Sequence, residues 1–338
     1  MRFLLVHPAF LGDTVFLGPA VRALKARWPG CEVGVVVSPR GEPVARQLPG
    51  VDQVFVFDKR RGDAGLRGVL RLGARLRAFA PDVALVSHRS VRSGAVAWLS
   101  RAPRRIGYAP FCNDRLALDR SRPFVDRPLL LAARAGAASD DRRLALDAPD
   151  AQAAYADATL RGATHPIVGL IPGAEWGTKR WGEARYAELA RRLAGGGGTV
   201  VVLGGPGEGE LARAIAAGSG LPVVDTTGNT ISEALAVLAR CDLVVGGDTG
   251  LVQCARALGR PTVVVFGPTD PRRLVLGERE RVARVELDCS PCHGHGPERC
   301  PLGHHRCMND LRVDEVERLA RALLAGEGST GAGTGTGG

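Results

Sequence analysis

Short apolar runs alternate with helical stretches along the whole chain. Such runs, with no polar residue at alternate positions, are typical of strands that are buried on both faces of a parallel sheet. The predicted strands are 3–6, 33–37, 54–57, 83–86 and 105–108 in the first half, and 167–171, 199–203, 222–224, 243–245 and 262–266 in the second. Helical periodicity fills the gaps at 14–28, 183–193, 208–217, 232–240 and 313–325. This alternation predicts two α/β units, each built on a doubly wound parallel sheet.

The chain has 338 residues, which is long for one hydrophobic core. Residues 139–164 are acidic, rich in alanine and interrupted by prolines, so we expect the domain boundary inside this segment. The predicted domains are 1–155 and 165–325. Apart from Glu327, residues 326–338 consist of Gly, Ala, Ser and Thr, and they are predicted to form a disordered tail.

Composition narrows the class of protein. No apolar run approaches 18 residues and the N-terminus does not resemble a signal peptide, so we expect a cytoplasmic protein without a membrane span. The net charge of +10 favours an anionic partner, which can be nucleic acid, a phosphorylated glycan or an anionic membrane face. Arginines 67, 71 and 75 recur at four-residue spacing after Lys59, Arg60 and Arg61, as on a solvated helix face or a lipid-binding one. No known nucleic-acid module is present, so no nucleic-acid partner is predicted.

In open α/β sheets, ligands bind beyond the carboxyl ends of the strands, so the loops that follow strands carry the candidate chemistry. Gly12 and Asp13 follow the first predicted strand. Asp13 is either a helix N-cap or a general base, and Gly12 leaves room for a bulky ligand. Arg89, Arg92 and Arg105 lie after or within later strands and are candidates for binding an anionic acceptor.

Two loops of the second half carry groups that suit a nucleotide. Lys179 is one of three lysines in a chain dominated by arginine, and an ammonium group binds phosphate as a point charge. The alternative is that Lys179 is a solvated cation at the surface and binds no ligand. Thr178 can add a hydroxyl group. Glu208 follows a glycine turn and can either bind ribose hydroxyls or stabilise the positive end of a helix.

A third glycine turn, 246–250, joins an apolar strand to a helix start. The main-chain N–H groups of Thr249 and Gly250 at such a helix N-terminus suit a diphosphate. Asp248 can cap the helix or hold a sugar hydroxyl. The turn matches neither G-x-G-x-x-G nor G-x-x-x-x-G-K-[ST], which argues against a dehydrogenase or an NTPase.

Four cysteines cluster near the C-terminus, at positions Cys289, Cys292, Cys300 and Cys307. A C-x-x-C pair followed by two further cysteines is the pattern of a tetrahedral thiolate site, so these four are candidate ligands of a structural zinc ion. Reduced thiols, disulfides and an iron–sulfur cluster are the open alternatives.

Taken together, these motifs resemble glycosyltransferase family 9 over residues 1–325. The matching segments are 12–13 with 19–24, 105–108, 172–181, 204–206 and 247–250 with 266–271. The segment 289–307 is most similar to the heptosyltransferase II branch of that family.

The resemblance implies a GT-B fold, two Rossmann-like domains with a central cleft, in which the N-terminal domain binds the acceptor and the C-terminal domain binds the nucleotide sugar. It implies an inverting transfer of heptose from ADP-heptose to the lipopolysaccharide inner core by a peripheral, monomeric enzyme at the inner face of the inner membrane. No cofactor is then needed for catalysis. A related transferase with another nucleotide sugar or another acceptor glycan is the alternative.

The same resemblance assigns roles to single residues. Asp13 corresponds to the family's base, Lys179 to its diphosphate contact, Glu208 to its ribose contact and Asp248 to its donor-sugar contact. One departure is Gln253, where family members commonly have histidine. Because a neutral amide supplies neither a proton nor a charge, the rate or the donor preference is expected to differ.

Overall fold

The computed structural model describes residues 1–59, 62 and 65–326. The chain divides into two compact units. The first consists of Met1–Ala148 and the short segment Arg272–Val275, and the second of Pro149–Pro271 and the chain from Leu276 onwards. Of the predicted tail, residues 327–338 lie outside the described part of the chain.

The first unit is built on a parallel sheet with the strand order β3-β2-β1-β4-β5-β6. Its strands are β1 (Arg2–Val6), β2 (Glu32–Val37), β3 (Gln53–Val56), β4 (Val83–Val86), β5 (Arg104–Gly107) and β6 (Asp114–Arg115). Its helices are α1 (Leu11–Val15), α2 (Gly18–Arg27), α3 (Glu42–Ala45), α4 (Gly65–Phe79), α5 (Val91–Leu99) and α6 (Asp126–Ala135). Leu5 of β1 pairs with Val35 on one side and Leu85 on the other, and all three are buried.

The second unit repeats this arrangement with the order β12-β11-β10-β7-β8-β9, again parallel. Its strands are β7 (Ile167–Ile171), β8 (Thr199–Gly204), β9 (Val223–Thr227), β10 (Leu243–Gly247), β11 (Thr262–Val265) and β12 (Glu280–Ala283). Its helices are α7 (Ala153–Thr159), α8 (Glu183–Ala194), α9 (Gly209–Ser219), α10 (Ile231–Leu238), α11 (Gly250–Ala257), α12 (Arg306–Asn309) and α13 (Val313–Leu324). The sheet's side chains pack against α8 and α13 in a core that includes Val168, Leu189 and Val316.

These two sheets confirm the predicted α/β class with two Rossmann-like units of the GT-B type. The predicted helix 14–28 is two helices rather than one, α1 and α2. The interruption falls at Phe16 and Leu17, directly before a Pro at the start of α2. Pro19 has no N–H to donate and its ring crowds the preceding turn, so it is tolerated at a helix start and not inside a helix. Among the residues described, no helix has the length and apolar character needed to cross a bilayer.

In each sheet the strand order reverses direction at one place, between β1 and β4 and between β7 and β10. At such a switch point, the loops leave the sheet on opposite faces and open a crevice beyond the carboxyl ends of the strands. The predicted loops 10–14 and 172–181 follow β1 and β7, and the turn at 248–250 follows β10. The fold therefore brings most of the candidate residues to these two positions.

Candidate active site

In the second unit, Lys179 and Asp248 link the loops that follow β7 and β10. The Lys179 ammonium donates to the Asp248 carboxylate at 2.7 Å and to the main-chain oxygen of Asp248 at 3.0 Å. The two side chains are only 11% and 17% exposed. The backbone also comes close here, since a Cβ at Gly247 would lie 2.9 Å from the Lys179 main-chain oxygen. The Lys179 ammonium is therefore fixed by its hydrogen bonds to Asp248, and Lys179 is not a solvated surface lysine.

The Asp248 carboxylate receives two further side-chain hydrogen bonds. Thr269 Oγ1 donates to Oδ2 at 3.0 Å, and Gln253 Nε2 donates to Oδ1 at 3.2 Å. Gln253 lies on α11 and is 4% exposed. Because a carboxylate has about four lone-pair directions, three donors leave capacity for a ligand hydroxyl group.

The amide oxygen of Gln253 accepts a hydrogen bond from a buried ion pair. Arg256 Nη1 donates to Gln253 Oε1 at 2.5 Å, and the same guanidinium pairs with Glu280 at 2.7 and 2.9 Å. The Arg256 and Glu280 side chains are 1% and 10% exposed. With its oxygen turned to a cation and its nitrogen to a carboxylate, the Gln253 amide has one orientation that satisfies both neighbours.

The N-terminus of α11 begins at Thr249, directly after Asp248. Thr249 is the N-cap residue and its side chain makes no capping hydrogen bond. Its Oγ1 is buried and has no hydrogen-bond partner among the residues that the structure describes. The first N–H groups of a helix have no partner within the helix, and the helix dipole makes this end positive. The predicted residues Thr249 and Gly250 thus lie at an end that suits an anion.

Glu208 is placed by two glycines on different loops. It occupies the N-cap position of α9, where its carboxylate accepts from Gly205 N at 2.7 Å. A Cβ at Gly173, in the loop after β7, would lie 1.8 Å from Glu208 Oε1. The carboxylate therefore fills the space left by the missing side chain at Gly173. Glu208 therefore lies at the start of α9, where its side chain makes no capping hydrogen bond. Its interaction with the helix dipole and its ribose contact both stay predictions.

Thr178 and the cysteine-bearing segment are joined directly. Thr178 is 3% exposed, and its hydroxyl donates to the main-chain oxygen of Pro297. The main-chain oxygen of Thr178 accepts from His305 Nε2 at 2.9 Å. Because its hydroxyl is used within the protein, the assignment of Thr178 as a nucleotide contact stays a prediction. Trp181, 1% exposed, packs against Tyr186 and donates to Leu311.

All four cysteines of the cluster, Cys289, Cys292, Cys300 and Cys307, are free thiols. Main-chain N–H groups, first that of His305 and then those of 302–304, lower the pKa of Cys300. Cys289 Sγ lies 3.9 Å from His304 Nε2. Over the described ranges, no group of three or more His, Cys, Asp or Glu side chains is arranged to hold a metal ion. The zinc prediction therefore rests on the spacing alone, and elemental analysis of the purified protein tests it.

In the first unit, Asp13 lies inside α1 and not before it. The helix starts at Leu11, its N-cap is Phe10, and no side chain caps it. The interpretation of Asp13 as an N-cap is therefore wrong, because the chain enters the helix two residues earlier. Asp13 is partly exposed, and the adjacent Gly12 is buried.

Two histidines follow the strands at this switch point. His7 comes after β1, and its Nδ1 lies 2.6 Å from Ser87 Oγ, which follows β4. The Nε2 of His7 is buried, and no residue in the described part of the chain forms a hydrogen bond with it. Burial, followed by the charges of His88 and Arg127, lowers the pKa of His7 to about 3. His7 is therefore neutral at physiological pH.

The arginines predicted to bind an acceptor differ in what they contact. Arg89 and Arg92 are exposed. The Arg105 guanidinium instead donates to the main-chain oxygens of Phe111 and Ala102 at 2.9 and 2.7 Å, so it stabilises a loop. Arg127 was not singled out from the sequence. Burial and then the charge of Arg273 lower its pKa, and the opposite charge of Asp13 acts against them. Arg127 lies on α6 without any surrounding motif, so no sequence signal marks it.

Comparison with known proteins places this geometry in context. The family model for glycosyltransferase family 9 (heptosyltransferase) matches residues 69–300. The chain is 28% identical to lipopolysaccharide heptosyltransferase 2 of Salmonella typhimurium, over 97% of this chain and 100% of that protein.

Two solved structures have the same fold. The structure of E. coli ADP-heptose lipopolysaccharide heptosyltransferase II matches with a TM-score of 0.79 at 26% identity, over 97% of this chain and 99% of that one. A family 9 glycosyltransferase from Veillonella parvula DSM 2008 matches with a TM-score of 0.87 at 20% identity, over 96% and 98% of the two chains.

Proposed function

The chain belongs to glycosyltransferase family 9, and from that premise we propose that it transfers heptose from ADP-heptose to the inner core of lipopolysaccharide. The observation that carries the proposal is the Lys179–Asp248 pair next to the N-terminus of α11, at the switch point of the second unit. A fixed cation and a helix N-terminus are what a sugar diphosphate requires. The near full-length similarity to heptosyltransferase 2 supports the choice of sugar and acceptor.

In the proposed donor complex, Lys179 and the N–H groups of Thr249 and Gly250 bind the diphosphate. Glu208 and Thr178 contact the nucleoside side, and Asp248 holds a heptose hydroxyl. The Lys179 ammonium and the two N–H groups face the oxygens that gain negative charge as ADP leaves, which is where preorganised groups lower the barrier most. Since Lys179 already supplies positive charge at this position, we propose that the transfer needs no metal ion.

In the proposed reaction, Asp13 removes the proton from an acceptor hydroxyl while that oxygen attacks the anomeric carbon. The new C–O bond forms as the bond to the diphosphate breaks, so the configuration at that carbon inverts. A general base in such a step contributes roughly 10²–10⁴-fold. We assign the acceptor side to Gly12, Arg89, Arg92 and Arg105, with Arg105 acting through the loop that it stabilises.

A transfer assay tests the proposal. The protein is incubated with ADP-heptose and with lipopolysaccharide cores truncated at successive sugars, and mass spectrometry follows a heptose mass increment on one of them. We expect the increment to persist in EDTA, and the proton coupling constant of the new anomeric centre to report inversion. A panel of other nucleotide sugars serves as control. Efficient transfer from another donor, with none from ADP-heptose, would establish the alternative of a related transferase that uses another nucleotide sugar. The Gln253 departure from the family's histidine is the reason for testing it.

We further propose that the enzyme works in the cytoplasm as a monomer on the inner face of the inner membrane. Arg67, Arg71 and Arg75 of α4 are exposed, as are the apolar side chains of Leu70 on α4 and Trp98 on α5. The predicted basic residues Arg60 and Arg61 lie outside the described residues. Exposed arginines together with exposed Trp and Leu side chains suit an anionic interface. Cosedimentation with vesicles containing 30 mol% anionic lipid, against neutral vesicles, tests the membrane, and light scattering tests the oligomeric state.

A further inference from the structure

The turn that carries Lys179 lies against the segment 289–311, which contains the four clustered cysteines. Thr178 Oγ1 donates to the main-chain oxygen of Pro297. A Cβ at Gly296 would lie 3.2 Å from both Cγ and Cε of Lys179, so the segment covers the stem of that side chain. Contacts with residues distant in sequence therefore define where the lysine side chain lies.

His305 adds a side-chain donor to this contact. Its Nε2 lies 2.9 Å from the main-chain oxygen of Thr178. Because a carbonyl oxygen can only accept, the ring carries a proton on Nε2 and donates it there. That oxygen belongs to the planar peptide group that joins Thr178 to Lys179. The hydrogen bond therefore fixes the orientation of the peptide that leads into Lys179.

The backbone of His305 is in a conformation that is uncommon for a residue with a side chain. Its φ is +49°, in the left-handed region, where it forms the N-cap of the short helix α12. A Cβ disfavours this region, and glycine adopts it freely. A histidine in this conformation indicates a role for the imidazole that glycine cannot fill, and here the imidazole donates to Thr178.

A second contact from α12 supports the Asp248 carboxylate. Met308 N donates to the main-chain oxygen of His305 at 3.1 Å, and the Met308 side chain is 1% exposed. A Cβ at Gly267 would lie 2.8 Å from Met308 Cε, so the methionine packs against this loop. Two residues later, Thr269 donates to the Asp248 carboxylate at 3.0 Å. His305 and Met308 thus contact both loops whose side chains donate to this carboxylate.

We propose that His305 is a positioning residue for the donor diphosphate. By fixing the peptide before Lys179, it holds the Lys179 ammonium at Asp248, where the phosphate oxygens of the donor bind. This inference rests on the proposed function, in which Lys179 binds that diphosphate. A cation that is held in place before the ligand arrives costs less to order on binding. His305 acts through Lys179 and does not itself contact the donor.

Calorimetric titration with ADP tests this role of His305. His305→Asn removes the donor at Nε2, because asparagine is too short to reach Thr178, and asparagine tolerates the left-handed backbone. We expect ADP to bind about 3- to 10-fold more weakly, the range of one lost hydrogen bond, with little change in melting temperature. His305→Gln should restore most of the affinity, since its amide nitrogen can lie near the position of Nε2.

His304→Asn is the matched control, because it makes the same substitution one residue earlier. His304 Nδ1 accepts from Arg306 N at 3.0 Å, and asparagine Oδ1 can accept in its place. We expect its ADP affinity to stay within about twofold of wild type. An unchanged ADP affinity in His305→Asn, or a loss of equal size in both variants, would overturn the proposal.

A double-mutant cycle shows whether His305 acts through Lys179. If it does, His305→Asn has no further effect on ADP affinity once Lys179→Met has removed the ammonium. We therefore expect the double variant to bind ADP within about twofold of Lys179→Met alone. Losses that multiply would mean that His305 affects the nucleotide by another route, which contradicts the positioning role.

A measurement without nucleotide separates this inference from the proposed function. The full chain has three lysines, so ¹³C-labelled lysine gives three Cε–Hε NMR signals, and the one lost in Lys179→Met identifies Lys179. We expect His305→Asn to move this signal towards that of a solvated lysine, and His305→Gln and His304→Asn to leave it in place. If this holds while wild type binds no ADP and transfers no heptose, the proposed function fails and the placement of Lys179 by His305 stands. If wild type transfers heptose and the signal does not respond to His305→Asn, the inference fails alone.

Discussion

The ammonium group of Lys179 lies 2.7 Å from the carboxylate of Asp248 and 3.0 Å from the main-chain oxygen of the same residue. This contact ties the loop after β7 to the end of the neighbouring strand β10. Since both side chains are mostly buried, solvent screens the pair less than an exposed one. The charge that we propose to bind a diphosphate is therefore held in place before the ligand arrives, which lowers the cost of ordering the Lys179 side chain on binding.

Lys179→Met is expected to weaken ADP binding by roughly 10- to 100-fold, because a charge-assisted contact to phosphate is lost. Calorimetric titration with ADP measures this. Lys25→Met is the matched control, since Lys25 and Asp52 form a pair with the same 2.7 Å separation in the first unit. An ADP affinity equal to that of wild type would remove Lys179 from the diphosphate site.

Asp13→Asn is expected to reduce turnover by roughly 10²–10⁴-fold, because an amide cannot accept the proton of the attacking hydroxyl. ADP affinity and melting temperature should remain near wild type, since the two side chains have the same shape. Steady-state kinetics with saturating donor give the turnover. Asp119→Asn, an exposed aspartate of the same unit that pairs with Arg122, is the control. Turnover of Asp13→Asn within a few-fold of wild type would mean that another group takes the proton.

The repeated pattern of apolar runs was enough to predict both sheets, because strands buried on two faces have no polar alternation to obscure them. The loops after β1, β7, β8 and β10 could then be chosen as candidates, because the carboxyl ends of parallel strands lie at the same edge of a sheet. Two of the four edge strands, β6 and β12, escaped this reasoning. β12 reads Glu-Arg-Val-Ala, is only partly buried, and has no apolar run to mark it.

Side-chain partners were harder to predict than loops. The hydroxyl of Thr178 donates to Pro297, 119 residues away. The Gln253 amide accepts from Arg256, which in turn pairs with Glu280, 24 residues further along the chain. Arg273 reaches Phe124 only because four residues return to the first unit. Such contacts depend on tertiary placement, which local periodicity and motif spacing do not encode.

Gln253→Glu is expected to weaken donor binding and leave the fold intact. The new carboxylate still accepts from Arg256, and it faces Asp248 across the position where an N–H donated at 3.2 Å. The two carboxylates repel each other at this distance, so we expect Asp248 to turn away from the donor sugar. The new carboxylate also competes with Asp248 for the Lys179 ammonium. We expect a donor KM raised about tenfold or more with a melting temperature within a few degrees of wild type.

Gln253→Met supplies the contrast, because it fills the same volume but leaves the Arg256 guanidinium without one acceptor. It should lower the melting temperature more than Gln253→Glu does and raise the donor KM less. The reverse ranking of the two variants would show that Gln253 serves the fold and does not position Asp248.

Gly173→Ala is expected to displace Glu208, since a Cβ at this position would lie 1.8 Å from Oε1. The carboxylate would have to leave the space and give up its bond to Gly205 N. If Glu208 contacts the ribose, ADP affinity falls by roughly tenfold, the size of one charge-assisted hydrogen bond. Gly207→Ala is the control, because a Cβ there meets nothing within 4 Å. Equal ADP affinities in the two variants would argue that Glu208 serves only the start of α9.

Stability in mild acid is expected to depend on His7. Its pKa falls from the ordinary 6.5 to about 3 in the folded protein, first through burial and then through the charges of His88 and Arg127. Between these values the unfolded chain binds a proton that the folded protein does not, so stability decreases as the pH drops below 6.5. The slope from this group is at most about 1.4 kcal/mol per pH unit. Urea unfolding at pH 7, 6 and 5 should show this loss in wild type, a flatter profile in His7→Gln, and no flattening in His293→Gln, whose ring is exposed. A His7→Gln profile as steep as that of wild type would assign the acid sensitivity to other groups.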